Sequence, residues 1–210
     1  MIRILIADDH ALMRAGLKRI LKDEPDLKVV GEASNGFEVI DFVKKEEVDF
    51  IVLDLTMPGK NGLEVIKELR HINKNIQILI LSMHPEDRFA VRALKSGASG
   101  YMTKESAPDE LVNAIRKIVS GRKYISPLLA EKLVSDFGDD SGKQPHEMLS
   151  DREHEVFIMI ASGKKITELA EVLSLSSATV NTYRARIFDK MKIKSNVELT
   201  HYALTNKLID

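Results

Sequence analysis

The feature that most constrains this chain is a continuous apolar run, Phe50–Leu53, that ends on the carboxylate of Asp54. Strand-forming residues without polar alternation predict a strand buried on both faces, as in a parallel sheet. Pro58, Gly59 and Gly62 follow closely and predict a turn. Because an unpaired charge is costly at a buried strand tip, we expect Asp54 to have polar partners.

Candidate partners stand at the ends of three other short apolar runs. They are two acids after the first predicted strand, a hydroxyl at the end of the fourth and an ammonium group after the fifth: Asp8, Asp9, Ser82 and Lys104. In an open parallel sheet the carboxyl ends of the strands share one edge, where ligands bind. The sequence therefore predicts a single cleft that gathers all of these groups around Asp54.

Helical patterns separate the predicted strands. The first of them carries Leu12, Leu17, Ile20 and Leu21 at helical spacing. Five strands that alternate with five helices predict an α/β fold with a doubly wound parallel sheet. Right-handed crossovers leave few ways to assemble such a sheet.

Composition narrows the possible functions. The chain has 210 residues and a formal net charge of -1, which excludes a broadly basic nucleic-acid coat but permits a local basic stripe. It has no cysteine, so disulfides, thiolate metal sites and thiol catalysis are excluded. No stretch approaches the roughly 20 apolar residues that a membrane span requires. We therefore expect no membrane association and a cytoplasmic location.

The pattern changes after Gly121, and no further strand signal follows. Ser126 and Pro127 predict the start of a helix that continues through Val134. Residues 136–145 are rich in turn-formers and charge, which is typical of a linker.

The segment after this linker is predicted to be entirely helical. Ser150 and Glu153 match a capping box at its first helix. A short helix at 166–173 and a longer one at Ser177–Met191 are joined by a tight turn, which suggests a helix-turn-helix. These signals predict a sheet domain, a linker helix with a flexible linker, and a helix-turn-helix domain, at residues 1–122, 123–146 and 147–210.

The side chains of the predicted cleft favour phosphoryl chemistry assisted by a metal. Clustered carboxylates such as Asp8, Asp9 and Asp54 suit a hard cation such as Mg²⁺. An aspartate beside a cation and a lysine is suited to accept a phosphoryl group, because both positive charges offset charge on its oxygens. Taken singly, the paired acids could be helix caps and Lys104 a solvated side chain. Their position at successive strand ends favours the functional interpretation.

The cleft residues also carry a resemblance to a known family. Asp8-Asp9, Asp54 with its following proline and glycine, Ser82 and the segment Tyr101–Lys104 resemble the receiver domain of two-component response regulators. The resemblance covers the predicted sheet domain and implies a flavodoxin-like five-stranded fold. It also implies phosphorylation of Asp54 by a sensor histidine kinase.

Further roles follow from this resemblance alone. It implies that Asp9, Asp54 and the backbone carbonyl of Thr56 ligate Mg²⁺, while Asp8 acts on the metal mainly through water. Ser82 would close on the phosphoryl group and Lys104 would pair with it. Tyr101 would be a coupled aromatic switch, the alternative being an ordinary half-buried strand aromatic.

The predicted helix Ser177–Met191 has two different faces. Its apolar face carries residues at core spacing: Val180, Ile187 and Met191. The opposite face carries Asn181, Thr182, Ala185 and Arg186. Basic side chains crowd the end of the helix and the residues after it: Arg184, Arg186, Lys190, Lys192 and Lys194. Such a stripe on a small helical domain predicts contacts with DNA phosphates, the alternative being a solvated face.

The order of these motifs resembles the LuxR-type helix-turn-helix of NarL/FixJ-type response regulators, and residues 180–188 look especially like the GacA/UvrY group. The resemblance implies a recognition helix at Ser177–Met191 whose base-facing residues are Asn181, Thr182 and Ala185. Many members have lysine where this chain has Asn181, so their DNA sequence preference does not carry over. The last helix would form the dimer face on double-stranded DNA, around Val197, Thr200, His201 and Leu204.

We therefore expect a transcription factor, not an enzyme, that phosphorylation of Asp54 switches by promoting a homodimer on promoter DNA. A hydrolase that uses the acidic cleft is one alternative, but no insertion is long enough to build a substrate cap. A nucleotide-binding domain is another, but no phosphate-cradling glycine loop follows the first strand. A receiver that acts only through protein partners is the third, and DNA binding by residues 147–210 distinguishes it.

Overall fold

The computed structural model describes residues 1–83, 86–127, 129–131 and 144–209, with backbone only for 86–88. By its internal contacts the chain divides into two compact units, Met1–Asp136 and Phe137–Asp210. Most of the predicted linker lies outside the described residues, as does the predicted helix beyond residue 131. The borders predicted at residues 122 and 146 stay predictions.

The first unit contains a five-stranded parallel sheet. Its strands are β1 Ile2–Ala7, β2 Leu27–Ala33, β3 Phe50–Asp54, β4 Gln77–Ser82 and β5 Gly100–Thr103. The strand order is β2-β1-β3-β4-β5, so the third strand in sequence is central in space. All five residues of β3 are buried, which confirms that the apolar run is covered on both faces.

Five helices connect and cover the strands. They are α1 Ala11–Lys22, α2 Gly36–Lys45, α3 Gly62–Ile72, α4 Glu86–Ser96 and α5 Ala107–Val119. Asparagine side chains cap the start of two of these helices. Asn35 accepts hydrogen bonds from the backbone N–H groups of Phe37 and Glu38 in α2, and Asn61 forms a capping box with Glu64 in α3. This alternation confirms the predicted doubly wound α/β fold.

The apolar stripe of α1 is narrower than its sequence suggests. Leu17 and Leu21 are buried in the core cluster that β1 and α5 share, whereas Leu12 is 86% exposed. At about 100° per residue, five positions separate Leu12 from Leu17 by about 140° around the helix. Leu12 therefore does not belong to the core face, although its spacing is compatible with a helix.

The regular elements that the structure describes in the second unit are all helices. A short 3₁₀ turn at Pro145–Met148 precedes α6 Asp151–Ala161, α7 Ile166–Val172, α8 Ser177–Met191 and α9 Asn196–Thr205. The predicted capping box forms at the start of α6, and Gly163 just beyond that helix has a positive φ of 84°.

The predicted helix-turn-helix is formed by α7 and α8. Ser174 adopts left-handed backbone geometry in the turn, with φ of 51°, and the Ser176 hydroxyl caps α8 by accepting from the Thr179 N–H at 3.1 Å. Both helices pack against α6. Among the described helices of either unit, none is long and apolar enough to cross a membrane.

Candidate functional site

Two buried aspartates define the cleft at the carboxyl edge of the sheet. Asp54 ends β3 and Asp8 follows β1, and both side chains are almost completely buried. Asp9 is partly exposed at the mouth of the cleft. Ligand atoms from Asp8, Asp9, His10 and Asp54 all lie within 4.8 Å of one another. The predicted cluster of acids is therefore assembled in the structure.

Lys104 supplies the positive charge of the cleft. It begins a 3₁₀ turn directly after β5, and its side chain is buried. Its Nζ lies 2.6 Å from Asp8 Oδ2 and 2.8 Å from Asp54 Oδ2. One ammonium group thus bridges carboxylates from two different strand ends.

Burial and charge set the ionisation of these groups. Burial raises the pKa of Asp54 to about 6, the ammonium of Lys104 opposes that rise, and the carboxylate of Asp8 adds to it. For Lys104, burial lowers the pKa but the two carboxylates raise it more, so the net shift is upward. Around neutral pH the Asp54 carboxyl group is therefore largely ionised, beside the ammonium group of Lys104.

The donor set fits a hard divalent cation. Asp8 Oδ2 is buried and pairs with the ammonium group of Lys104 at 2.6 Å. Asp9 offers an oxygen from the solvent side. The N–H of Thr56 donates to Asp54 Oδ1 at 3.1 Å, which places the Thr56 peptide beside the cleft. Oxygen ligands of this kind suit Mg²⁺.

His10 was not among the predicted site residues. Its Nδ1 lies 2.7 Å from Asp9 Oδ1 and 3.2 Å from Asp8 Oδ1, and its backbone N–H donates to Asp8 Oδ1 at 2.8 Å. The signal was its place directly after the paired acids. An imidazole at the mouth of the cleft partly offsets the acidic charge only when it is protonated.

The two predicted switch residues lie on β4 and β5. Ser82 is fully buried at the end of β4, where its register partner on β5 is Thr103. Tyr101 is buried rather than half-buried, and its N–H donates to the Tyr124 carbonyl at 3.0 Å. A cavity of about 400 Å³ lies beside Tyr101 and is also lined by Glu110.

The faces predicted for α8 are confirmed. The apolar residues Val180, Ile187 and Met191 are buried, whereas the polar face is exposed at Asn181, Thr182, Ala185 and Arg186. The side-chain donors of Asn181 and Thr182 are directed to backbone carbonyls one turn earlier in the helix, at 3.0 Å each. This leaves the Asn181 carbonyl oxygen able to accept a hydrogen bond from a base.

The predicted basic residues fall into different environments. Arg186, Lys192 and Lys194 are exposed, and the half-buried Arg184 lies over the Phe188 ring at 5.6 Å. Lys190 instead pairs with the buried Glu153. The predicted stripe therefore combines exposed basic side chains with one whose ammonium group is paired inside the domain.

Comparison with known proteins assigns the two units. The family model for the response regulator receiver domain matches residues 4–116, and the model for bacterial regulatory proteins of the luxR family matches residues 147–203. The response regulator UvrY of Escherichia coli (strain K12) is 40% identical over 209 residues, 99% of this chain and 96% of that protein. The response regulator GacA of Pseudomonas aeruginosa is 38% identical over 211 residues, 100% of this chain and 99% of that protein.

The chain belongs to the two-component response regulators. It combines a receiver domain with a LuxR-type DNA-binding domain, and it is a DNA-binding transcriptional regulator. This assignment argues against the hydrolase and nucleotide-binding alternatives, because the family consists of transcriptional regulators rather than classical enzymes.

Solved structures agree with this assignment. The response regulator is similar to RcsB of Salmonella enterica serovar Typhimurium bound to promoter P1flhDC in the presence of the phosphomimetic BeF3-. That match has a TM-score of 0.66 and 25% identity, and it covers 96% of this chain and 97% of the other. A LuxR-family response regulator from Aurantimonas sp. SI85-9A1 matches with a TM-score of 0.59 and 38% identity, over 65% of this chain and 98% of its own.

Proposed function

We propose that Asp54 of this response regulator accepts a phosphoryl group from a sensor histidine kinase. The observation that carries the proposal is the ion pair between Asp54 Oδ2 and the buried Lys104 Nζ at 2.8 Å. It joins a reactive carboxylate at the tip of the central strand to a cation that can neutralise the incoming phosphoryl group.

In the proposed reaction, a carboxylate oxygen of Asp54 attacks phosphorus while the bond from phosphorus to the kinase imidazole breaks. The ammonium group of Lys104 pairs with the phosphoryl oxygens, and the buried Ser82 hydroxyl donates a hydrogen bond to one of them. A bound Mg²⁺ ion would supply further charge neutralisation. Asp9, Asp54 and the Thr56 carbonyl would hold this ion, with Asp8 acting through water.

We further propose that phosphorylation shifts the receiver between two states. Ser82 and Tyr101 are the moving parts of this shift, and Tyr101 is one of the residues that line a cavity of about 400 Å³. The active state forms a homodimer that binds two half-sites of promoter DNA in the cytoplasm. Two observations support this step: RcsB binds promoters in the presence of BeF3-, and α9 exposes apolar Val197 and Leu204.

Mass spectrometry after incubation with acetyl phosphate and Mg²⁺ tests the acceptor. The wild-type protein should gain one phosphoryl group, whereas Asp54→Asn should gain none. Asp41→Asn is the matched control, since Asp41 is an exposed acid on α2. Full labelling of Asp54→Asn would show that Asp54 is not the phosphoacceptor. Gel filtration of the labelled protein then tests dimerisation separately.

A further inference from the structure

The ammonium group of Lys190 is held by a carboxylate from another helix. Its Nζ lies 2.6 Å from Oε2 of Glu153. The same oxygen accepts the backbone N–H of Ser150 at 2.7 Å, so Glu153 both caps α6 and binds α8. The Glu153 side chain is only 4% exposed, whereas that of Lys190 is 39% exposed.

A buried carboxylate needs such a partner to remain ionised. Burial alone would raise the pKa of Glu153, but Lys190 and the hydrogen bonds from Ser150 lower it, and the net shift is downward. If Lys190 turned toward a DNA phosphate, the Glu153 charge would be left buried without its cation. A contact between Lys190 and DNA would therefore compete with its ion pair inside the domain, and breaking that pair would cost free energy.

The neighbouring lysines are in a different situation. The side chain of Lys192 is 80% exposed and pairs with the exposed Asp189 at 3.3 Å. Lys194 is also exposed. Their ammonium groups can reach a phosphate without leaving a buried charge behind.

Lys190 lies in the last turn of α8, beside the buried Met191. At 1.5 Å per residue, the base-facing Asn181 is about 13 Å away along the helix axis. A tilt of about 5° at the end of α8 would therefore move Asn181 by about 1 Å. Base contacts tolerate little displacement, because hydrogen bonds weaken steeply with distance and angle.

We propose that Lys190 is a positioning residue rather than a phosphate contact. Its ion pair with Glu153 fixes the angle between α8 and α6, and so sets where Asn181 and Thr182 meet the bases. This differs from the expectation drawn from the basic run alone.

The test measures affinity of the full-length protein, over a range of salt concentrations, for random DNA and for the duplex that it selects from a randomised library. The variants are Glu153→Gln, which keeps an oxygen for the Ser150 cap, Lys190→Met, which keeps the apolar stem, and their double variant. Each single variant should lower the preference for the selected duplex about tenfold, with the salt dependence unchanged. The double variant should lose no more than either single one.

Lys192→Met serves as the control for a phosphate contact. It should weaken binding to both DNAs alike and reduce the salt slope by about one. Lys190→Arg should keep the ion pair and the wild-type preference. Circular dichroism ensures that all comparisons are made on folded protein.

Two results would overturn the proposal. One is that Lys190→Met behaves as Lys192→Met while Glu153→Gln binds as the wild type. The other is that Lys190→Arg loses the preference for the selected duplex as fully as Lys190→Met, with both variants folded.

Discussion

Lys104 Nζ lies 2.8 Å from Asp54 Oδ2, although the two residues are 50 positions apart in sequence. They stand at the ends of β5 and β3, and β4 lies between these strands in the sheet. The lysine side chain therefore reaches past a whole strand to the acceptor. Because both groups are buried, this pair links the stability of the receiver domain to its chemistry.

Removing Lys104 should destabilise the metal-free receiver. Lys104→Met leaves Asp8 and Asp54 as buried like charges without their shared cation, and we expect the free energy of unfolding to fall by about 3 kcal/mol. Urea denaturation in EDTA measures this, with the exposed Lys22→Met as control. Mg²⁺ should restore part of the loss, since it replaces the missing positive charge. Unchanged stability in EDTA would contradict the role of the pair.

The raised pKa of Asp54 predicts a specific pH dependence. Its folded pKa of about 6 lies above the ordinary value of 3.8, so the folded state retains a proton that the unfolded chain has already released. The protonated Asp54 therefore stabilises the folded state at low pH. As pH rises through 6 this contribution is lost, and the free energy of unfolding of the metal-free protein falls by about 3 kcal/mol.

Asp54→Asn cannot show this loss. Its free energy of unfolding relative to the wild type should increase from about pH 4 to about pH 7. Urea titrations in EDTA at several pH values test the difference between the two proteins. A difference that does not vary with pH would mean that burial does not control this carboxyl group.

The acids should contribute unequally to metal binding. Asp9 is the acid that faces solvent, whereas Asp8 is buried against Lys104. We expect Asp9→Ala to weaken Mg²⁺ binding more than Asp8→Ala, as measured by calorimetry. Equal losses would remove the distinction between a direct ligand and one that acts through water. For the wild type, affinity should fall below about pH 6, because Asp54 must release its proton to bind metal.

The cleft at the strand ends could be predicted from the sequence, because parallel strands bring their carboxyl ends to one edge of the sheet however the connecting helices pack. The pairing of Lys190 with Glu153 could not be predicted from it. It depends on how α8 crosses α6, and a charge run looks the same whether it faces solvent or a buried acid. Leu12 illustrates a third case, since helical spacing alone does not specify which residues share a narrow face.

The polar face of α8 should read DNA bases. Asn181 is exposed in the first half of this helix, and its carbonyl oxygen remains able to accept a hydrogen bond. Asn181→Ala should change affinity by roughly 1–3 kcal/mol for some duplex sequences and little for others. Lys194→Met should instead weaken all sequences alike. If Asn181→Ala lowered the affinity for every duplex in a library alike, Asn181 would contact the DNA backbone rather than the bases.

A phosphoryl group on Asp54 should raise the affinity of the full-length protein for DNA. The most direct measurement compares the DNA affinity of the full-length protein with and without acetyl phosphate and Mg²⁺, at one salt concentration, for the wild type and Asp54→Asn. The phosphoryl donor should raise the affinity of the wild type only, and residues 147–210 alone should bind DNA without it. Equal affinity of the phosphorylated and unphosphorylated wild-type protein would contradict a switch at the DNA-binding step.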